Sequence, residues 1–149
     1  MSRQAAFIVA DAAATGLAVA SVDAVMSVDA LQLIPHRNAV IAEVGRTLKP
    51  GGRFAFTTWV SRLGTAGPPF PVDYRPLLEV ERLVMDACHE PLNWESREST
   101  VFAKIRASTA VLTAELGEPV AAMLIAEAEK MPEAYSLIRR VNILATKAG

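Results

Sequence analysis

The chain has 149 residues, 52% of them apolar and 21% charged, which is the composition of one ordinary globular domain and excludes intrinsic disorder. Its net charge is −1 with Lys and Arg scattered, so it lacks the clustered basic face that nucleic-acid binding needs. A single cysteine, Cys88, excludes an internal disulfide and a cysteine-based metal site, and fits a reducing, cytoplasmic compartment.

The first twenty residues, "MSRQAAFIVADAAATGLAVA", mimic a secretory signal, but Asp11 cuts the apolar run and Thr15 and Gly16 break it again. No segment approaches the roughly 20 apolar residues that span a bilayer, so no membrane partner is expected. Ala6–Ala10 ("AFIVA") is short, apolar and partly β-branched, and reads as a buried strand ended by Asp11. Val22–Val28 ("VDAVMSV") predicts a second buried strand. Pro35 then suits the first turn of a helix whose Val40, Ile41, Val44 and Leu48 share one face. That helix stops at "KPGG", where Pro50 cannot continue it and Gly51 and Gly52 allow a tight turn.

"RFAFTTW", Arg53–Trp59, favours a strand. Strand, helix and strand from Val22 to Trp59 imply a right-handed parallel crossover. Apolar residues on both parities of the strands imply helices on both sheet faces. "SRLGTAGPPFPVDYRP", Ser61–Pro76, has two glycines and four prolines and reads as a loop over a site. A short strand is expected at Leu83–Met85 and a helix at Glu95–Leu116. A second helix runs from Pro119 until Pro132 stops it, and a last strand covers Arg140–Ala145. No repeat or domain boundary stands out.

"DAVMSVDALQLIPHRNAVIAEVGRTLKPGGRFAFTTW", Asp23–Trp59, resembles the fourth strand, the following helix, the "L(K/R)PGG" turn and the fifth strand of class I S-adenosylmethionine-dependent methyltransferases of the small-molecule type. "VADA", Val9–Ala12, is similar to the end of that family's third strand, and "RRVNILATK" to its antiparallel last strand. The resemblance implies an α/β fold, a partial Rossmann-like methyltransferase sheet. It also implies S-adenosylmethionine as cofactor and a small-molecule acceptor as partner. It covers nearly the whole chain and is firm over Val9–Trp59. On this reading residues 1–149 form a single methyltransferase domain, with a lid, acceptor-side loop and helices in 65–135.

One departure is large. The family's first strand leads into a G-x-G-x-G loop, and its second ends in an acidic residue that binds ribose. Both should precede Val9, and the chain's glycines, at 16, 45, 51, 52, 64, 67, 117 and 149, form no such motif. The chain therefore looks truncated at its amino end. The family's strand order would leave Ala6–Ala10 and Val22–Val28 about three strand spacings apart, roughly 14 Å at 4.8 Å each. Either the first segment slides over to pair with the second, or that edge pairs with another chain; a homo-oligomer or a complementing chain is the expectation. Losing the ribose contact and the loop amides should weaken cofactor binding by at least about 10²-fold.

The resemblance assigns Asp11 and Ala12 to the adenine, the carboxylate accepting from the amino group and the next N–H donating to a ring nitrogen. Asp11 equally suits a plain strand terminator. Ser27, Val28 and Asp29 end a strand at the carboxyl edge where open α/β sheets bind ligands, and Leu31 is placed to pack on the adenine or in the core. His36, just beyond that edge, is the candidate general base; a solvent-facing first-turn histidine is its other reading. Gln32 is a candidate to orient the acceptor. Trp59, Phe70, Tyr74 and Trp94 are candidates for the walls of an apolar acceptor pocket, with core packing as their other fate. Two histidines 53 positions apart, with no acidic cluster at ligand spacing, give no metal site.

Two functions follow from the sequence. One is methyl transfer to a small organic acceptor. The other is a non-catalytic, methyltransferase-like remnant acting as an oligomeric or partner-dependent interaction module.

Overall fold

The computed structural model describes residues 5–62 and 70–149. In chain order these form β1 (Val22–Ser27), a 3-10 turn (Leu31–Leu33), α1 (Arg37–Thr47), β2 (Leu48–Ser61), α2 (Arg75–Val80) and β3 (Leu83–His89). Then follow α3 (Trp94–Ala107), α4 (Thr109–Leu116), α5 (Glu118–Ala134) and β4 (Ile138–Lys147). The chain divides into two compact units. The first comprises 1–58, 73–88 and 142–149, and the second 59–72 and 89–141. Residues 63–69 of the Ser61–Pro76 loop expected from the sequence lie outside the described residues.

The first unit is built on the sheet, whose strand order is β1-β2-β4-β3. β1 and β2 run parallel, joined through α1, as the crossover expectation requires. Ala148 N–H donates to Arg82 O, which sets the end of β4 beside the start of β3, so those two run antiparallel.

The "KPGG" turn is built into β2. Val22 pairs with Leu48 and Ala24 with Arg53, so β1 advances two residues while β2 advances five, a bulge at the strand entry. Gly51 takes φ +76° there. A Cβ on Gly52 would lie 2.8 Å from Lys49 O and 3.1 Å from Asp23 O, so only glycine fits between the two strands.

Alternation along the strands gives one dry face and one open face. Phe54, Phe56 and Thr58 of β2 and Ile143 and Ala145 of β4 are buried, together with Val40, Ile41 and Val44 of α1, Leu78 of α2, Leu83 and Tyr74. The opposite parity is exposed at Met26, Val28 and Val84. The expectation of helices on both faces is thus corrected: the helix-forming segments of this unit, α1 and α2, serve the buried parity alone.

Ala6–Ala10 also departs from expectation. It forms no strand, and Phe7, Ile8 and Val9 are 96%, 66% and 107% exposed. A strand needs a ladder to join, and the residues that follow this segment are tied elsewhere. Thr15 N–H and Oγ1 donate to Glu43 Oε1 at 2.9 and 2.5 Å, Arg46 Nη2 donates to Leu17 O, and Ala20 and Ser21 donate to Arg46 O and Thr47 O. The connector is thereby fastened to α1, and among the described residues the outer edge of β1 carries no partner strand.

In the second unit the helix expected over Glu95–Leu116 is broken at Ser108, where the backbone leaves helical values (φ −106°, ψ 19°) and the amide is shared between Lys104 O and Ile105 O. Pro132 does not stop α5 but sits in its last turn. Proline has no N–H for the carbonyl four residues back, and Arg106 Nη1 donates to that Ala128 O instead. Pro35 likewise lies before α1, whose N-cap is His36.

Candidate functional site

Parallel strands end together, and their carboxyl ends open a crevice where the following loops diverge. In the first unit β1 ends at Ser27, in register with Phe56, while β2 runs on past that pair to Ser61. A cleft of about 220 Å³ lies at this edge, lined mainly by apolar atoms of Met26, Val28, Phe56 and Ile143, with Ser27, Thr57 and Asn142 as its polar members.

The loop leaving β1 is held by one residue of β2. Asp29 sits at φ +50°, a left-handed conformation, and its N–H donates to Thr57 Oγ1 at 2.9 Å. Thr57 Oγ1 in turn donates to Asp29 Oδ1 at 2.8 Å. Aspartate tolerates this conformation better than most residues. Ser27, Val28 and Asp29 are therefore adjacent at one strand end, at the edge named from the sequence.

The remaining candidates of this unit are spread. Asp11 and Ala12 form a tight turn in which Asp11 Oδ1 accepts from Ala13 N–H at 2.8 Å; both are exposed, and neither lines the cleft. Leu31 is fully buried. His36 is exposed at the N-terminus of α1, with no side-chain cap to the helix. Gln32 is half-buried, and its Oε1 meets no donor among the described residues, while its backbone O accepts from Arg37 Nη2 at 3.2 Å. Tyr74 is buried edge-on against Phe56, 5.3 Å between centroids, and its hydroxyl pairs with Thr58 Oγ1 at 3.0 Å. Burial pushes the Tyr74 phenol up, opposed by the Thr58 hydrogen bond and the Arg37 charge.

Trp59, Phe70 and Trp94 come together in the second unit, in a cluster with Ile138, Met131 and Tyr135. Trp59 and Trp94 pack edge-to-face at 5.2 Å, and Trp94 Nε1 donates to Glu90 Oε1 at 2.6 Å. Trp94 also borders a hollow of about 390 Å³ along Glu90–Glu95. Arg62 bridges Glu90 and Glu95, each at 3.1 Å.

Sequence reasoning missed Thr57 and Asn142. Thr57 was legible in principle: it follows the last residue of β2 paired to β1, at the point where β1 ends. Asn142 needed the pairing of β4 beside β2, which its own sequence does not signal.

Residues 2–56 match the sequence model of the methyltransferase domain. No curated protein gives a match. Among solved structures the chain is similar to a Galdieria sulphuraria protein assigned as a sarcosine dimethylglycine methyltransferase, with TM-score 0.77 and 18% identity over 93% of this chain and 57% of that one. It is similar to the 4+2 cyclase SpnF with TM-score 0.75 and 18% identity, over 93% of this chain and 54% of that one. It is also similar to Haemonchus contortus phosphoethanolamine N-methyltransferase 2 in complex with phosphomonomethylethanolamine and S-adenosylhomocysteine. There the TM-score is 0.72 and the identity 16%, over 95% of this chain and 37% of that one. At such identities the shared property is the fold, and the chain spans little more than half the length of the first two. Residues 2–56 thus carry the sequence pattern of a methyltransferase domain, and the chain shares the fold of these S-adenosylmethionine-dependent methyltransferase-like structures.

Proposed function

We propose that the chain holds the acceptor-side portion of an S-adenosylmethionine-dependent methyltransferase acting on a small organic molecule. The observation that carries this reading is the cleft at the carboxyl end of β1, beside β2, with Asp29 hydrogen-bonded to Thr57 of its lining. S-adenosylmethionine, when bound, supplies a methyl group already attached to a good leaving group, so positioning and desolvation do most of the work.

The residues present fit part of that cofactor. Ser27, Val28 and Thr57 offer an apolar floor with polar rims suited to a flat ring system, and Asp29 offers a carboxylate at the rim. Asp11 and Ala12 are candidates for the adenine edge, and Leu31 is the candidate to pack on the adenine. Nothing in the sequence supplies the glycine-rich amides for the amino-acid end, so the chain by itself binds weakly. On the acceptor side Gln32 is the candidate orienting residue, supported by its unmatched carbonyl oxygen. Tyr74 in the first unit and, separately, Trp59, Phe70 and Trp94 in the second are the candidates for an acceptor wall, and the 65–135 segment is the candidate lid and acceptor side. His36 is the candidate base, needed only if the acceptor must lose a proton.

The test is amide NMR of the chain at millimolar S-adenosylhomocysteine. Saturable shifts concentrated at Ser27–Leu31 and Thr57 are expected; shifts confined to other residues, or none at all, contradict the assignment.

A second reading is a non-catalytic module that works only in an assembly. Three consecutive exposed apolar residues, Phe7 to Val9, favour it.

A further inference from the structure

In the second unit the orientation of one aromatic ring is governed from a single point. Trp94 is 5% exposed, and its ring meets Trp59 edge-on at 5.2 Å and Tyr135 edge-on at 5.0 Å. An indole this deeply buried needs a partner for its N–H. Glu90 supplies it, Trp94 Nε1 donating to Glu90 Oε1 at 2.6 Å. Glu90 follows β3 and lies in neither helix nor strand, so no backbone ladder fixes the place of its carboxylate.

Arg62 fixes it instead. Arg62 Nη2 donates to Glu90 Oε1 and to Glu95 Oε1, each at 3.1 Å, on either side of the turn that leads into α3. Arg62 Nε is shared between Ile138 O at 2.7 Å and Tyr135 O at 3.3 Å, and the Arg62 backbone N–H donates to Leu137 O at 2.8 Å. One guanidinium therefore meets both the residue that holds the Trp94 N–H and the backbone of the residue that packs on the Trp94 ring.

We propose that Arg62 and Glu90 are positioning residues of the acceptor wall: a relay from Arg62 through Glu90 to Trp94 holds the indole edge-on to Trp59. The inference rests on the reading of Trp59 and Trp94 as such a wall. Exposure separates this role from a stabilising one. The side chains of Arg62, Glu90 and Glu95 are 36%, 33% and 50% exposed, and ion pairs this exposed add little to stability. What they supply is direction, since a planar fork anchored on two backbone carbonyls leaves the Glu90 carboxylate one place to sit. Without that carboxylate the indole N–H must find water, and the hollow of about 390 Å³ that Trp94 borders gives the ring room to turn.

The chain has two tryptophans and both belong to this wall, so indole spectra report on it alone. Edge-to-face indoles this close couple their transitions and give an exciton couplet in circular dichroism. Glu90→Gln keeps an oxygen for the indole N–H and is expected to keep the couplet. Glu90→Leu is expected to lose most of it and Arg62→Met to weaken it, with the helical signal unchanged in both. An unchanged couplet in Glu90→Leu overturns the proposal, and an unchanged couplet in Arg62→Met overturns the part given to Arg62. If a variant loses its helical signal, NMR of the wild type decides. There the Trp94 indole N–H is expected to exchange with solvent far more slowly than in free tryptophan, and exchange at the free rate overturns the proposal.

Phenol, a small planar hydroxylated probe, tests the wall reading separately. Followed at the two indole N–H signals, its binding to the wild type is expected to saturate at millimolar concentration. That binding should weaken about fivefold in Glu90→Leu, the worth of one hydrogen bond, and not in Glu90→Gln. Equal phenol affinity in the wild type and Glu90→Leu overturns the claim that the relay shapes the wall. Phenol that moves neither indole signal removes the acceptor-wall reading, while the hold of Glu90 and Arg62 on Trp94 is still decided by the couplet.

Discussion

Asp29, just past the end of β1, and Thr57, on the parallel strand β2, hold each other, one hydroxyl accepting from the Asp29 amide and donating to its carboxylate. Because Asp29 is left-handed, the loop after β1 turns sharply at this point, and its direction depends on that hydroxyl. Thr57→Val keeps the shape and removes both bonds, which predicts a loss of about 1–3 kcal/mol. Thr57→Ser should restore most of it. Chemical denaturation of the three proteins checks this, and equal stability of Val and Thr would show that the loop is set by something else.

Glu43 fastens the amino-terminal connector to α1. Its carboxylate is held down to about 2 by Arg46 first and then by Thr15, against the opposing effect of burial. A carboxylate whose folded value lies below its unfolded value of about 4.5 contributes stability that is complete above that value and is lost as pH falls toward 2. The denaturation midpoint of the wild type should therefore fall between pH 5 and pH 2 more steeply than that of Glu43→Gln. Parallel pH curves for the two would contradict the assignment.

Gly52 lies where β2 passes Asp23. Gly52→Ala forces its Cβ against two carbonyl oxygens, so a backbone shift in both strands is required. Gly51→Ala meets no atom but occupies a positive φ, which costs about 1–2 kcal/mol. The expected order of thermal stability is wild type, then Gly51→Ala, then Gly52→Ala, and calorimetry of the three reads it.

Much of the sheet was legible because β1, α1 and β2 carry local signals. Their apolar runs are bounded, and Pro35, Pro50 and the two glycines punctuate them. The Asp23–Trp59 string also fixed the carboxyl edge on which Ser27, Val28 and Asp29 sit. What was not legible depends on partners. "AFIVA" has the propensity of a strand, but propensity supplies no ladder, and the segment stands exposed. The parity of β1 and β2 predicted two covered faces, while only one covering layer exists in this unit. Ser108 and Pro132 show a smaller version of the same limit, since Arg106 substitutes for the hydrogen bond that Pro132 lacks, a contact that no sequence window contains.

Gln32 offers a test that separates stability from function. A buried amide oxygen without a donor costs free energy, and an apolar side chain of similar shape removes that cost. Gln32→Met should therefore leave stability unchanged or raise it by up to about 1 kcal/mol, measured by urea denaturation. A loss of more than about 1 kcal/mol would show that the amide is already satisfied within the fold, and would weaken its candidacy as the residue that meets the acceptor.

The most direct measurement is calorimetric titration of the purified 149-residue chain with S-adenosylhomocysteine. If the chain holds the edge that receives the adenosine but lacks the amides that grip the amino-acid end, affinity should fall at least about 10²-fold below a micromolar binder, to roughly 100 µM or weaker. Low-micromolar, one-to-one binding by this chain would contradict the account, because it would mean that the grip resides in residues assigned here no part in it.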